Sequence, residues 1–153
     1  MTLTLLALLA CKNKDVETDP PPTPADLTER LSPGDVRAGV VTDEAALFGG
    51  VSAEGQAGDI KIYNDRVQFV IQGARMGSYY VQVGGGVIDA DIIRPDGAPG
   101  RDLVDEWGVM LGFGRLLLPD QVEVVSDGSD GAAVVRVTGS DVPLALLLGA
   151  LES

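Results

Sequence analysis

Apolar and polar residues alternate with period two over much of the chain. The clearest case is GDIKIYNDRVQFVIQG, residues 58–73, where Ile60 and Ile62 alternate with Lys61 and Tyr63, and Val67, Phe69 and Ile71 flank Gln68. Such alternation places one side-chain set on each face of a strand. Asn64-Asp65 tolerates the positive φ angles of a two-residue turn, so the stretch predicts a β-hairpin. In that register Ile62 faces Val67 and Ile60 faces Phe69 on the core side, while Tyr63 opposes Arg66 and Lys61 opposes Gln68. A second hairpin is predicted in QVEVVSDGSDGAAVVRVTG, where Val122 and Val124 meet Ala133, Val135 and Val137 across a loop of Asp, Gly and Ser.

RAGVVT, SYYVQVGG and GVIDADIIRP also have strand composition, punctuated by glycines about ten residues apart. One or two short helices are expected beside these strands. In TPADLTERLSPG, Thr23 is a candidate N-cap, Pro24 the first helical residue and Asp26 the capping-box acid, with Leu27 and Leu31 on one side and Ser32-Pro33-Gly34 as the stop. In RDLVDEWGVML, Leu103, Trp107 and Leu111 have helical spacing that Gly108 interrupts, which allows a turn or two over residues 101–107 with Trp107 in the core. The fold class expected is mainly β, an antiparallel sandwich or open barrel-like domain over residues 33–153.

The first ten residues break the alternation. TLTLLALLA is too short for the roughly 20 residues that span a bilayer, but fits the 7 to 15 of a signal-peptide core. Leu8-Leu9-Ala10-Cys11 resembles the lipobox of bacterial lipoproteins, whose cysteine receives a diacylglyceryl group and becomes the first residue after cleavage. The resemblance implies a signal peptide at 1–10 and lipidation at Cys11. It also implies anchoring to a membrane of the cell envelope, with the domain facing the periplasm or the cell surface. Ahead of the apolar core, where that family usually has Lys or Arg, only the amino terminus of Met1 is positive. Residues 12–22, with three consecutive prolines, then read as an extended, unfolded tether, so that residues 11–32 comprise the lipidated cysteine, this tether and the short helix.

Composition narrows the chemistry. In 153 residues there are 20 glycines and 9 prolines, which favour turns and short strands over long helices. Eleven basic against 23 acidic residues give a net charge of -12, which repels nucleic-acid backbones. The absence of histidine removes Ser-His-Asp and Cys-His catalysis and imidazole metal sites. A single cysteine precludes an internal disulfide. No nucleophile stands out, and an enzyme is the less favoured reading.

The densest polar cluster is VIDADIIRPDGAPGRDLVDEWG, with Asp89, Asp91, Asp96, Asp102, Asp105 and Glu106. Calcium takes six to eight oxygen ligands, which makes these six acids candidate ligands, although the spacing is not that of an EF-hand. The competing reading pairs them with Arg94 and Arg101 or leaves them solvating a loop. Paired carboxylates also serve glycoside hydrolysis, but a domain of this size offers little depth for a sugar cleft. VGGGVID lacks the lysine of a phosphate cradle, so Gly84, Gly85 and Gly86 read as a turn.

Gly58-Asp59, Tyr63-Asn64, Arg66, Gly84 to Gly86, Asp89 and Asp91 together are similar to the N-terminal β-rich portion of large exported lipoproteins of myxobacteria and their relatives. They are more distantly similar to the region preceding the catalytic part of PHP-type metallohydrolases, whose histidine metal motifs are missing here. The resemblance implies the fold class and the exported setting and carries no activity. The closing VPLALLLGALES is expected to be an internal core element whose partner strands lie beyond Ser153. The function expected is a lipid-anchored envelope protein with a non-catalytic structural or interaction domain, its partner an envelope protein or glycan. The alternative is a calcium-dependent carbohydrate-binding or hydrolase accessory domain; no cofactor other than that calcium is expected.

Overall fold

A computed structural model describes residues 25–77, 81–112 and 114–144. The signal segment, Cys11, the tether and the apolar run after Leu144 lie outside the described residues. The described chain is mainly β and antiparallel, and is not closed into a barrel. Strands β1 (Val36–Val40), β2 (Ile60–Asn64), β3 (Val67–Ile71) and β4 (Val87–Ile92) form a four-stranded sheet in the order β1-β2-β3-β4, and β5 (Arg115–Asp127) and β6 (Ala133–Pro143) form a long hairpin of their own.

The hairpin expected at residues 60–71 exists, one residue out of phase at its turn. Asn64 Oδ1 accepts the N–H groups of Arg66 at 2.8 Å and Val67 at 2.9 Å. That Asx geometry keeps Asn64 in the strand and moves the turn to Asp65-Arg66. The register becomes Ile60 with Ile71, Ile62 with Phe69 and Tyr63 with Gln68, rather than Ile60 with Phe69. The later hairpin follows the expected register, with Val122 opposite Val137 and Val124 opposite Val135. Its loop turns on Gly128 at φ +101° and Gly131 at φ +93°.

The greater departure concerns which face of the sheet is covered. Ile62, Val67, Phe69 and Ile71 do share a face, but Phe69 is 37% exposed while Val70 on the opposite face is fully buried. On the covered face, polar side chains hold the backbone of the loops that lie across it. Lys61 Nζ donates to the carbonyls of Ala46 at 2.7 Å and Leu27 at 3.0 Å. The Tyr63 hydroxyl donates to Glu29 O at 2.9 Å, and Asp59 accepts from Gln56 N–H and from the Arg75 guanidinium at 2.8 Å. Loops carry backbone groups that need partners when buried, and these side chains supply them. The core is consequently small, with Leu27, Leu31, Val41, Ala46 and Tyr63 in one cluster and Phe48, Val70 and Ile88 in another.

Neither expected helix forms within the described residues. Asp26 Oδ1 accepts from both the N–H and the hydroxyl of Thr28, a local turn that competes with helix initiation, although Leu27 and Leu31 still point inward together. Residues 101–107 hold no helix, only isolated bridges at Asp102 and Trp107. The one described helical segment is a single 3-10 turn at Glu44–Ala46, capped by the Asp43 side chain. Of SYYVQVGG, the described part makes only one bridge, Val83 to Met76.

Candidate interaction surface

The six acids proposed as metal ligands are spent on separate hydrogen bonds, one of them at an edge of the sheet. β4 is an edge strand, and residues 101–109 run along it. Val87 and Trp107 exchange reciprocal backbone hydrogen bonds at 2.9 and 2.7 Å, and Asp102 Oδ1 accepts the outward N–H of Ala90 at 2.9 Å. Asp102 Oδ1 also accepts from Val104 N–H, while Oδ2 is buried with no protein partner among the described residues. Asp105 accepts from the Ser52 hydroxyl, Glu106 takes Val81 N–H with both oxygens, and Asp96 accepts Ala98 N–H. Of these side chains only Asp102 covers the β4 edge, which the Trp107 backbone closes further along and which would otherwise be open to pairing.

Asp89 and Asp91 share the covered face of β4. Asp89 is fully buried and accepts from Glu54 N–H at 2.7 Å and Gly55 N–H at 2.9 Å. Burial pushes its carboxyl up, an effect opposed by those two donors. A Cβ at Gly55 would sit 2.6 Å from Asp89 Oδ2, so only glycine permits this approach. Asp91 forms a bidentate pair with Arg94, at 2.7 and 2.9 Å, and accepts Arg101 N–H; the Arg94 hydrogen bonds hold its carboxyl below the usual range. Pairing with Arg94 is therefore observed, whereas Arg101 contributes its backbone. No group of three or more His, Cys, Asp or Glu among the described residues is arranged to hold a metal ion.

Along residues 101–109 Asp102 is turned inward, Asp105 is exposed, and the large apolar side chains turn out. Leu103 is 74% exposed and Trp107 72%, which corrects the expectation of a core tryptophan; Val109 and Met110 are each more than half exposed. The sheet repeats the inversion, because Val40, Phe69 and Ile92 on its half-open face are all substantially exposed. Placing large apolar groups in water while burying carboxylates opposes the ordinary partition, and contiguous exposed apolar surface marks an interaction site. Sequence alternation identified this apolar set but not that it lies in water.

No protein-family model, curated protein or solved structure matches this chain. Among the described residues no helix is long and apolar enough to cross a membrane.

Proposed function

We propose that this chain is an exported, lipid-anchored protein of the cell envelope whose β-domain is a non-catalytic interaction module. The observation that carries the interaction role is the half-open apolar sheet face with Phe69 and Ile92, beside which the polar side chains are spent on loop backbones. The anchoring role rests on Leu8-Leu9-Ala10-Cys11 and the proline-rich tether behind it. Several acyl chains are needed for stable retention, since a single chain binds bilayers only marginally.

Two measurements test the two halves separately. Mass spectrometry of the protein from its own host should find diacylglyceryl on an amino-terminal Cys11, and Cys11→Ser should leave the detergent phase; an unmodified Met1 terminus overturns the anchor. A photo-crosslinking residue at Ile92 should yield a discrete envelope-protein adduct that the same residue at Ser129 does not. Absence of that adduct in intact cells overturns the interaction face.

A further inference from the structure

Residues 101–111 carry a pattern that the half-open sheet face does not account for. The odd-numbered residues from Arg101 to Val109 are exposed, and the even-numbered ones between them are buried or half-buried. Leu103, Trp107 and Val109 stand out in water, and Met110 and Leu111 continue them. The segment is fixed at several points. Asp102 N–H donates to Gly49 O at 3.2 Å, Trp107 exchanges its bonds with Val87, and Leu111 N–H donates to Arg115 O at 2.8 Å. Gly86 lets the chain lie this close to β4, since a Cβ there would be 2.7 Å from Trp107 O. The exposed side chains are thus displayed on a held backbone.

Arg101 opens the strip, and its guanidinium makes no hydrogen bond or ion pair among the described residues. Every other described arginine, from Arg30 to Arg136, has a carboxylate or a carbonyl as partner. The Trp107 indole N–H is likewise without a partner among the described residues. Two cavities reach the strip, one beside Trp107 and Gln72 and one beside Val109 and Val137, and each holds about 10 Å³. That is room for about one water, too little to seat a sugar ring or a partner's side chain.

We propose that residues 101–111 form a membrane-contact strip that rests on the bilayer to which Cys11 is anchored, with Leu103, Trp107, Val109 and Met110 at the boundary of headgroups and acyl chains and Arg101 at the lipid phosphates. This role rests on the anchoring read from Leu8-Leu9-Ala10-Cys11. From Cys11 to Ala25, where the described chain begins, there are 25 - 11 = 14 residue steps, which span at most about 50 Å. Ala25 lies beside β1, and β4 is three strand spacings further on, about 15 Å, so the β4 edge is within reach of the surface. A bilayer needs no shaped pocket, because its boundary takes apolar side chains while an indole or a guanidinium stays among the headgroups. The anchor raises the local concentration of lipid, so a short apolar strip suffices where it would not hold an unanchored protein. A second copy of the chain is the poorer occupant, since it brings another net charge of -12 to the same surface.

Trp107 is the only tryptophan and Cys11 the only cysteine, so the chain carries its own probe and its own coupling point. The full chain, unlipidated, is coupled through Cys11 to a maleimide lipid in phosphatidylcholine vesicles, which supplies the anchor whether or not the host cell does. Trp107 emission should then shift to the blue, and phosphatidylcholine brominated along the acyl chain should quench it. Leu103→Ser with Met110→Ser should lower the ratio of docked to free Trp107 at least about tenfold, and Arg101→Glu should lower it too. All three side chains are exposed, so these variants should keep the parent's melting temperature. Emission that stays red and open to iodide on the coupled protein overturns the proposal, as does quenching that the double serine variant leaves unchanged. A blue shift that grows with protein concentration in the absence of vesicles assigns the strip to a second copy and overturns it as well. Lipid missing from Cys11 in the host fails the anchoring and leaves the vesicle result intact, so the two failures are told apart.

Discussion

Lys61 is nearly fully buried, makes two hydrogen bonds to neutral carbonyls, stands 4.6 Å from the centre of the Tyr63 ring, and has no carboxylate partner among the described residues. Burial lowers its pKa from 10.5 to about 8. Between those values the unfolded chain holds a proton that the folded chain releases, so Lys61 makes stability rise with pH across that window. Burial raises the Tyr63 pKa above 10, and ionisation in the unfolded state then lowers stability at higher pH. Urea unfolding should therefore show rising stability from pH 8 towards 10, and Lys61→Met should flatten that rise. Asp102 gives a second residue-scale prediction. Asp102→Ala strands the N–H groups of Ala90 and Val104 and should cost about 1–3 kcal/mol in urea unfolding. Asp102→Asn retains one acceptor and replaces the orphaned oxygen with a neutral group, and should be at least as stable as the parent.

At the scale of elements, β4 offers a comparison within six residues. Ile88 is 4% exposed against Phe48 and Val70, whereas Ile92 is 57% exposed. Ile88→Ala should cost about 2–5 kcal/mol, by lost transfer free energy and the cavity left behind. Ile92→Ala should stay within about 0.5 kcal/mol, and calorimetry of the two variants measures the difference. Comparable losses would mean that the apolar face is covered in the isolated protein. How far the elements were legible in sequence depended on their turns. For the β5–β6 hairpin, Gly128 and Gly131 at positive φ fixed the loop, so composition predicted the register. For β2–β3, Asn64 was read as a turn residue by type, when its side chain instead caps the turn from the last strand position.

Across the whole molecule, the net charge of -12 sets a long-range repulsion that compact folding concentrates. Raising the salt from about 10 to 150 mM shortens the Debye length from about 30 to 8 Å and should raise the melting temperature. Near the sequence pI of about 4.1 that repulsion vanishes while Phe69, Trp107 and Ile92 stay exposed. Light scattering against pH should accordingly peak close to pH 4, and serine at Phe69 and Ile92 together should lower the peak. An unchanged peak would place the adhesive surface elsewhere.

The sequence by itself determined the mainly β, antiparallel class, the existence of both hairpins, the grouping of Ile62, Val67, Phe69 and Ile71 on one face, and the inward pointing of Leu27 and Leu31. These follow from period-two alternation and local turn chemistry, which act between neighbours along the chain. Which sheet face is covered was decided only in three dimensions. Lys61 and Tyr63 read as the side of their strand away from the core and Asp89 as a metal-ligand candidate, yet each has caught backbone groups of a distant loop. Asp102 and Trp107 likewise exchanged their expected environments because residues 101–109 lie along β4, where a carboxylate serves an unpaired N–H and an indole does not. Such exchanges depend on partners far apart in sequence, 35 residues between Asp89 and Glu54, and no local pattern encodes them.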